Sequence, residues 1–293
     1  MAKKPARKTS PRRGALRAWL ELLRLPNLFT IPGDILVGWS LGGLRGGVPL
    51  LPILASLALY ASGLLFNDFF DAAIDARERP KRPIPSGRVD RRRVGAVALA
   101  LGLLGVALAG SGWMLAAGLF GLILFYDLAA KHLPGVGVLT MGACRGGNLL
   151  LGFAATWPQA GRTWPPLVLL AAGFFMGYIV LVSVVAKHEA DPKARIAKPL
   201  HWAPLAFTLA LMPLFWWLGR GNLWAPLLAS LPLLGLLAVR RPIPALVGGL
   251  IRHLVLLQFA WCTLGVGSLR AVAFTLLGCW FLAVCTGRRI AGS

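Results

Sequence analysis

The chain has 293 residues, of which 57% are hydrophobic and 14% charged, and its mean hydropathy is +0.71. A soluble domain of this length is excluded by so apolar a composition. The net charge of +21 invites a nucleic-acid partner, but the placement of the basic residues along the chain argues against one.

Met1–Gly14 carries Lys3, Lys4, Arg7, Lys8, Arg12 and Arg13 with Pro5 and Pro11, and reads as a disordered cationic arm that sets topology and touches anionic lipid. The disordered tail is taken to run over 1–23, with one membrane domain over 24–289. Stretches long enough and apolar enough to cross a bilayer follow at 27–44, 48–70, 93–110, 112–130, 135–156, 164–186, 200–218, 222–239, 246–266 and 268–286. The fold class is therefore an all-α polytopic integral membrane bundle of nine to ten helices. With the N-terminus in the cytoplasm and ten spans, only Arg45, Arg162, Arg220 and Arg270 fall on the far side, while Arg145 and Arg252 lie within spans. The remaining Lys and Arg sit in the tail, the even-numbered loops or the C-terminal end, which is the positive-inside pattern. Nine spans would put Arg288 and Arg289 outside, so ten are favoured. The acids lie at or near the same ends of the spans, so the polar chemistry faces one side. Cys144, Cys262, Cys279 and Cys285 all lie in apolar spans without metal-ligand spacing.

The second span ends in Asn67-Asp68-Phe69-Phe70-Asp71-Ala72-Ala73-Ile74-Asp75. At about 100° per residue, Asp68, Asp71 and Asp75 share one helical face with Asn67 beside them. Three anions on one face repel, and desolvating them is costly unless a divalent cation sits among them. Hard oxygen donors suit Mg²⁺, which takes one or two carboxylates, keeps waters and binds substrate phosphates. The loop that follows, residues 76–88, alternates cations with prolines; Arg77, Arg79, Lys81, Arg82 and Arg88 are candidates to neutralise phosphate oxygens. Topology alone is the other reading of these charges.

After the fourth span, Tyr126, Asp127 and Lys131 place a hydroxyl, an acceptor and an ammonium on the same rim. An interfacial aromatic anchor and an i,i+4 ion pair are the plainer readings. In the fifth span Arg145 and Asn148 stand three apart in apolar surroundings, which marks them as cavity-facing and functional; close packing at Gly142, Gly146 and Gly147 is the alternative. Arg252 and His253 are expected to snorkel toward a loop. Lys187, His188, Glu189 and Asp191 cluster where the sixth span leaves the membrane, with Pro192 ending the helix.

These residues carry a resemblance. The Asn67 to Asp75 motif, followed by Arg82-Pro83-Ile84-Pro85-Ser86-Gly87, resembles the first signature of the UbiA superfamily of intramembrane prenyltransferases. Arg24-Leu25-Pro26-Asn27 at the first span, Tyr126 with Lys131, and a second polar exit about 110 residues after the first extend it over residues 20–265. Within the superfamily, Cys144 to Gly152 resembles the EboC-like branch. The resemblance implies a helical bundle around a lipid-open cavity, with Mg²⁺ held by Asp68, Asp71, Asp75 and Asn67, and Lys131 as a catalytic phosphate contact. Asn67, Arg82, Tyr126, Arg145, Asn148, Lys187 and Asp191 would complete the diphosphate site. The second motif departs from the pattern, with Ser183, Val184 and Lys187 where the family repeats Asn and Asp.

The implied function is Mg²⁺-dependent transfer of a prenyl group from an isoprenoid diphosphate to a hydrophobic acceptor, aromatic or lipid, in a bacterial plasma membrane with the rim facing the cytoplasm. Phe66, Phe69, Phe70 and Phe174 are candidates to stabilise an allylic cation. Glu189 and His188 are candidate bases. Two rival readings are a carrier or scaffold binding lipid phosphates, which the altered second motif favours, and a terpene cyclase. An ion transporter would place its carboxylates near mid-membrane, not at the rim.

Overall fold

A computed structural model describes residues 11–44, 47–156, 163–190, 195–218 and 223–265, with positions 276, 278, 280 and 281. Helix is the only regular structure among the described residues. In chain order these are α1 (Pro11–Leu22), α2 (Leu25–Leu28), α3 (Ile31–Leu41), α4 (Leu50–Phe70), α5 (Ala72–Glu78), α6 (Arg91–Leu108) and α7 (Trp113–Leu128). After them come α8 (Val136–Ala154), α9 (Pro166–Ala186), α10 (Lys198–Leu209), α11 (Leu211–Trp217), α12 (Trp224–Ala238) and α13 (Ile243–Cys262).

Among the described residues, six helical stretches are both long and apolar enough to cross a membrane: Leu50–Phe70, Gly110–Leu128, Val136–Ala154, Pro166–Glu189, Lys198–Trp217 and Ile243–Cys262. Three more of the expected spans are helical but fall short of that standard for visible reasons. Helix α3 has 11 residues, α12 has 15, and α6 opens on Arg91, Arg92 and Arg93. The tenth expected span, 268–286, lies almost wholly outside the described residues.

Two expectations are corrected. A disordered tail to residue 23 does not describe residues 11–22, which form α1: Ala18 and Leu22 are buried against Leu65, Phe66, Val94 and Ala98, and Glu21 bonds Arg88 at 2.8 Å. Apolar burial plus a tertiary ion pair orders a segment that charge alone would leave solvated. The first apolar stretch, expected as one span over 27–44, is broken at Phe29 and Thr30, between two prolines that open α2 and α3.

The short α3 is the centre of the bundle. All but one of its residues from Ile31 to Ser40 are buried. It crosses α8 where Gly38 faces the backbone of Leu149 and Gly152 faces that of Ile35, and a Cβ at either glycine would run into the opposing chain. Small residues permit this approach, and the backbone contact replaces a hydrophobic driving force that lipid does not supply. Around the crossing, Leu149, Phe153, Phe175, Tyr178, Leu254 and Trp261 form the main apolar core. A second crossing layer is built from Ile35, Ala55, Leu59, Ala116, Leu119 and Leu151.

Candidate functional site

Helix α4 delivers Asn67 and Asp68 to the rim in its last turn. Asp71 stands at the junction with α5, and Asp75 lies inside α5. The i,i+4 backbone bonds run through this junction, from Asp71 N to Asn67 O at 3.0 Å and from Asp75 N to Asp71 O at 2.8 Å. The side chains therefore keep their common face.

The loop after α5 is tied to itself. Arg82 N donates to Arg79 O, Ser86 N to Arg82 O, and Gly87, at φ 71°, makes the turn that lets Val89 N reach Pro83 O. Arg88 clasps the loop, donating to Lys81 O at 2.8 Å and pairing with Glu21, so this cation serves the loop's shape. Asp90 caps α6 by accepting from Arg93 N at 2.9 Å.

That shape aims Arg82 back at the helix. One nitrogen, Nη1, donates to Asp68 Oδ1 at 3.1 Å and to Asp75 Oδ2 at 2.7 Å. Asp71 faces elsewhere, accepting from Lys131 Nζ at 2.6 Å, and Lys131 also lies 3.9 Å from Asp127. Asn67 donates to Asp127 Oδ1 at 3.2 Å. Arg24, with its backbone in the left-handed region at φ 43°, points a guanidinium at Asp68 Oδ1 (3.4 Å) and Asn67 Oδ1 (3.5 Å). Beside these groups opens a cavity of about 450 Å³, lined among others by Glu21, Arg24, Asp68, Arg79, Lys81 and Arg82. Tyr126 is half-buried next to Asp127.

The donors Asn67, Asp68, Asp71 and Asp75 are all hard oxygens, as Mg²⁺ requires. Among the described residues no three acidic, histidine or cysteine side chains are gathered tightly enough to hold an ion. In this arrangement the three carboxylates are divided: Lys131 holds Asp71, apart from the other two. Asp68 and Asp75 do converge, and what they converge on is a cation, Arg82 Nη1; the same two carboxylates would be the ones to hold a metal ion. Two carboxylates plus substrate phosphate oxygens is the usual Mg²⁺ donor set, so the residues present fit the ion.

Arg145 and Asn148, expected at the diphosphate, sit about midway along α8 in a different cluster. Arg145 is paired with Asp34 at 2.8 Å and donates to Thr30 O at 2.7 Å. Asn148 donates to Asp34 Oδ2 at 2.9 Å and accepts from Ser56 Oγ at 2.6 Å. The reason is Asp34, a fully buried carboxylate that needs partners at its own depth; grouping it with acids at the span ends overlooked that it lies inside α3. His253 is likewise buried, between Tyr178 Oη and Ala229 O at 3.0 Å each, and does not snorkel. Lys187 and Glu189 are exposed on the turn Lys187–Ala190 that ends α9. Asp191 lies outside the described residues.

Sequence reasoning passed over Arg24 and Asp34 as site residues. Arg24 was legible as the arginine of the Arg-Leu-Pro-Asn entry. Asp34 was legible as a carboxylate inside an apolar run with Arg145 as the matching buried cation.

The fold and rim define a polytopic helical membrane protein with an edge where carboxylates and cations are gathered. Residues 28–243 match the UbiA prenyltransferase family, and the chain belongs to that family. It is 32% identical over 198 residues to the digeranylgeranylglyceryl phosphate synthase of Methanopyrus kandleri, covering 66% of this chain and 70% of that one. With the synthase of the same name from Ignicoccus hospitalis it shares 36% over 153 residues, 51% of this chain and 50% of the relative. The chain thus spans only about half the length of some of the curated relatives it matches. Those relatives are archaeal, where a bacterial membrane was expected. Among solved structures, one described as concerning digeranylgeranylglyceryl phosphate synthase in membranes superposes at TM-score 0.59 and 19% identity, over 85% of this chain and 97% of that one. A UbiA homologue from Archaeoglobus fulgidus bound to DMAPP and Mg²⁺ does so at 0.53 and 17%, over 91% and 98%. At these identities the likeness is one of fold.

Proposed function

We propose that this protein transfers a prenyl group from an isoprenoid diphosphate to a hydrophobic acceptor, and that the diphosphate sits on the rim formed by Asp68, Asp75, Arg82, Arg24 and Lys131. The observation that carries this reading is the convergence of two buried carboxylates on a single cationic nitrogen beside a cavity lined by further cations. The relatives are named for a glyceryl phosphate bearing two geranylgeranyl groups; in this reading the acceptor is such a lipid with one group and the donor is geranylgeranyl diphosphate.

In this reading Asp68 and Asp75, with Asn67 and Asp71 within reach, would hold Mg²⁺, which when bound neutralises charge developing on the departing diphosphate. Arg82, released from its carboxylates, turns its fork to phosphate oxygens, and Arg24 and Lys131 close on the same anion from α2 and from the turn after α7. The donor's C1–O bond breaks with its electron pair on the diphosphate. The acceptor hydroxyl oxygen then bonds C1 and passes its proton to an oxygen of the departing diphosphate. Phe66, Phe69 and Phe70, in ring contact at the end of α4 with Phe70 stacked on Phe66 and edge-to-face with Phe69, shield the carbon centre from water. Lys187 and Asp191 are assigned to the same anion from the second exit, with Tyr126 at its edge. Positive-inside charge orients this rim to the cytoplasm.

Incubating the purified protein with labelled geranylgeranyl diphosphate, Mg²⁺ and geranylgeranylglyceryl phosphate tests it: a doubly prenylated phospholipid and released diphosphate are expected. Binding of the donor without diphosphate release would instead establish the carrier reading, which the Ser183, Val184 and Lys187 of the second motif favour. Diphosphate release with a cyclised hydrocarbon and no use of acceptor would make it a cyclase.

A further inference from the structure

The buried pair Asp34–Arg145 is a costly feature in a membrane interior, and its geometry shows what it is attached to. Asp34 is fully buried and Arg145 nearly so. The pair does not close on itself: Arg145 Nη2 donates to the Thr30 carbonyl at 2.7 Å, and Gln258 Nε2, from α13, donates to the same carbonyl at 2.8 Å and to Asp34 Oδ1 at 2.7 Å. Side chains from α8 and α13 thus grip one peptide group, the one at the break between α2 and α3. A guanidinium at the N-terminus of α3 opposes the helix dipole, and Asp34 in the first turn of that helix offsets it.

From Thr30 the contacts continue toward the rim. Arg145 Nη1 lies 3.3 Å from Thr30 Oγ1, and that hydroxyl donates to Asn27 O at 2.8 Å. Asn27 N in turn donates to Arg24 O at 2.8 Å. Arg24 holds φ 43° and ψ 53°, a conformation that costs a side-chain-bearing residue energy and persists only where its surroundings over-determine it. Its guanidinium is the one that reaches Asn67 and Asp68.

We propose that Asp34, Arg145 and Thr30 are positioning residues: they hold the break after α2 so that Arg24 stays in its left-handed conformation with its guanidinium on the diphosphate rim. The inference rests on the rim being a diphosphate site, but assigns Arg145 an effect that passes through Arg24 without contact between Arg145 and the substrate.

The test is a double-mutant cycle read by calorimetric binding of Mg²⁺–pyrophosphate to the folded, full-length protein in detergent. Arg145→Gln is expected to weaken binding about tenfold, within the range of coupling energies for linked polar groups. Arg24→Ala weakens it as well. In the Arg24→Ala background, adding Arg145→Gln should change affinity by less than about twofold, because the side chain being positioned is gone. Thr30→Val removes only the hydroxyl link, keeps the shape, and stands in if Arg145→Gln does not fold; its loss of about threefold should vanish in the same background. Equal losses with and without Arg24, or no loss from either substitution, overturn the proposal while leaving the diphosphate site standing. A wild type that does not bind Mg²⁺–pyrophosphate overturns both.

Discussion

Replacing Arg82 by alanine probes the convergence of Asp68 and Asp75 directly. In the structure both carboxylates depend on Arg82 Nη1, at 3.1 and 2.7 Å, and their side chains are only 9% and 7% exposed. Charge-assisted hydrogen bonds are worth about 1.5–3 kcal/mol each. The Arg82 side chain is 29% exposed and both bonds share one nitrogen, so solvent screening brings the loss for the pair to about 2–3 kcal/mol. At roughly 2–4 °C per kcal/mol for a chain of this size class, Arg82→Ala should lower the melting temperature by about 5–10 °C in EDTA. Millimolar Mg²⁺ should restore most of that loss, and raise the melting temperature of the variant more than that of the wild type, because the ion takes the place the guanidinium left. Thermal unfolding in detergent, with and without Mg²⁺, reads both numbers. A loss of the same size in EDTA and in Mg²⁺ would refute the idea that Asp68 and Asp75 are arranged to share a cation.

Three further outcomes are expected. Asp71→Ala should abolish prenyl transfer while shifting stability by less than about 1 kcal/mol, since Asp71 is 23% exposed and Lys131 retains Asp127 at 3.9 Å; turnover that survives removes Asp71 from the site. Lys187→Ala should weaken Mg²⁺–pyrophosphate binding about tenfold, the loss of one charge-assisted contact, and unchanged affinity in calorimetry would leave Lys187 as a topology charge only. Gly152→Val should cost about 3 kcal/mol or prevent folding, because its side chain would enter the backbone of Ile35; an unaltered melting curve would mean that α3 and α8 do not cross as described.

Asp68, Asp71, Asp75 and Arg82 were legible in the sequence because helical periodicity and a proline-stopped loop act over a few residues. Their spacing alone brings them to one edge. Lys131 was legible as a rim cation but its partner was not, since Asp71 lies 60 residues away and the pairing depends on how α7 packs beside α4. For the same reason spacing implied one ion held by three carboxylates, where packing splits them between Arg82 and Lys131.

By itself the sequence determined that the chain is membrane-embedded and helical, where most of the helices run, and which edge gathers the carboxylates and cations. Bilayer thickness, the 3.6-residue period and charge asymmetry are all local properties of a chain. Tertiary structure alone decided that α3 is central, that Arg24 bends back onto Asp68 from 44 residues away, and that Arg145 and Asn148 contact Asp34 and do not themselves reach the rim. A buried charge must be met at its own depth, and which partner stands at that depth is settled by how helices cross, here at Gly38 and Gly152, not by distance along the chain.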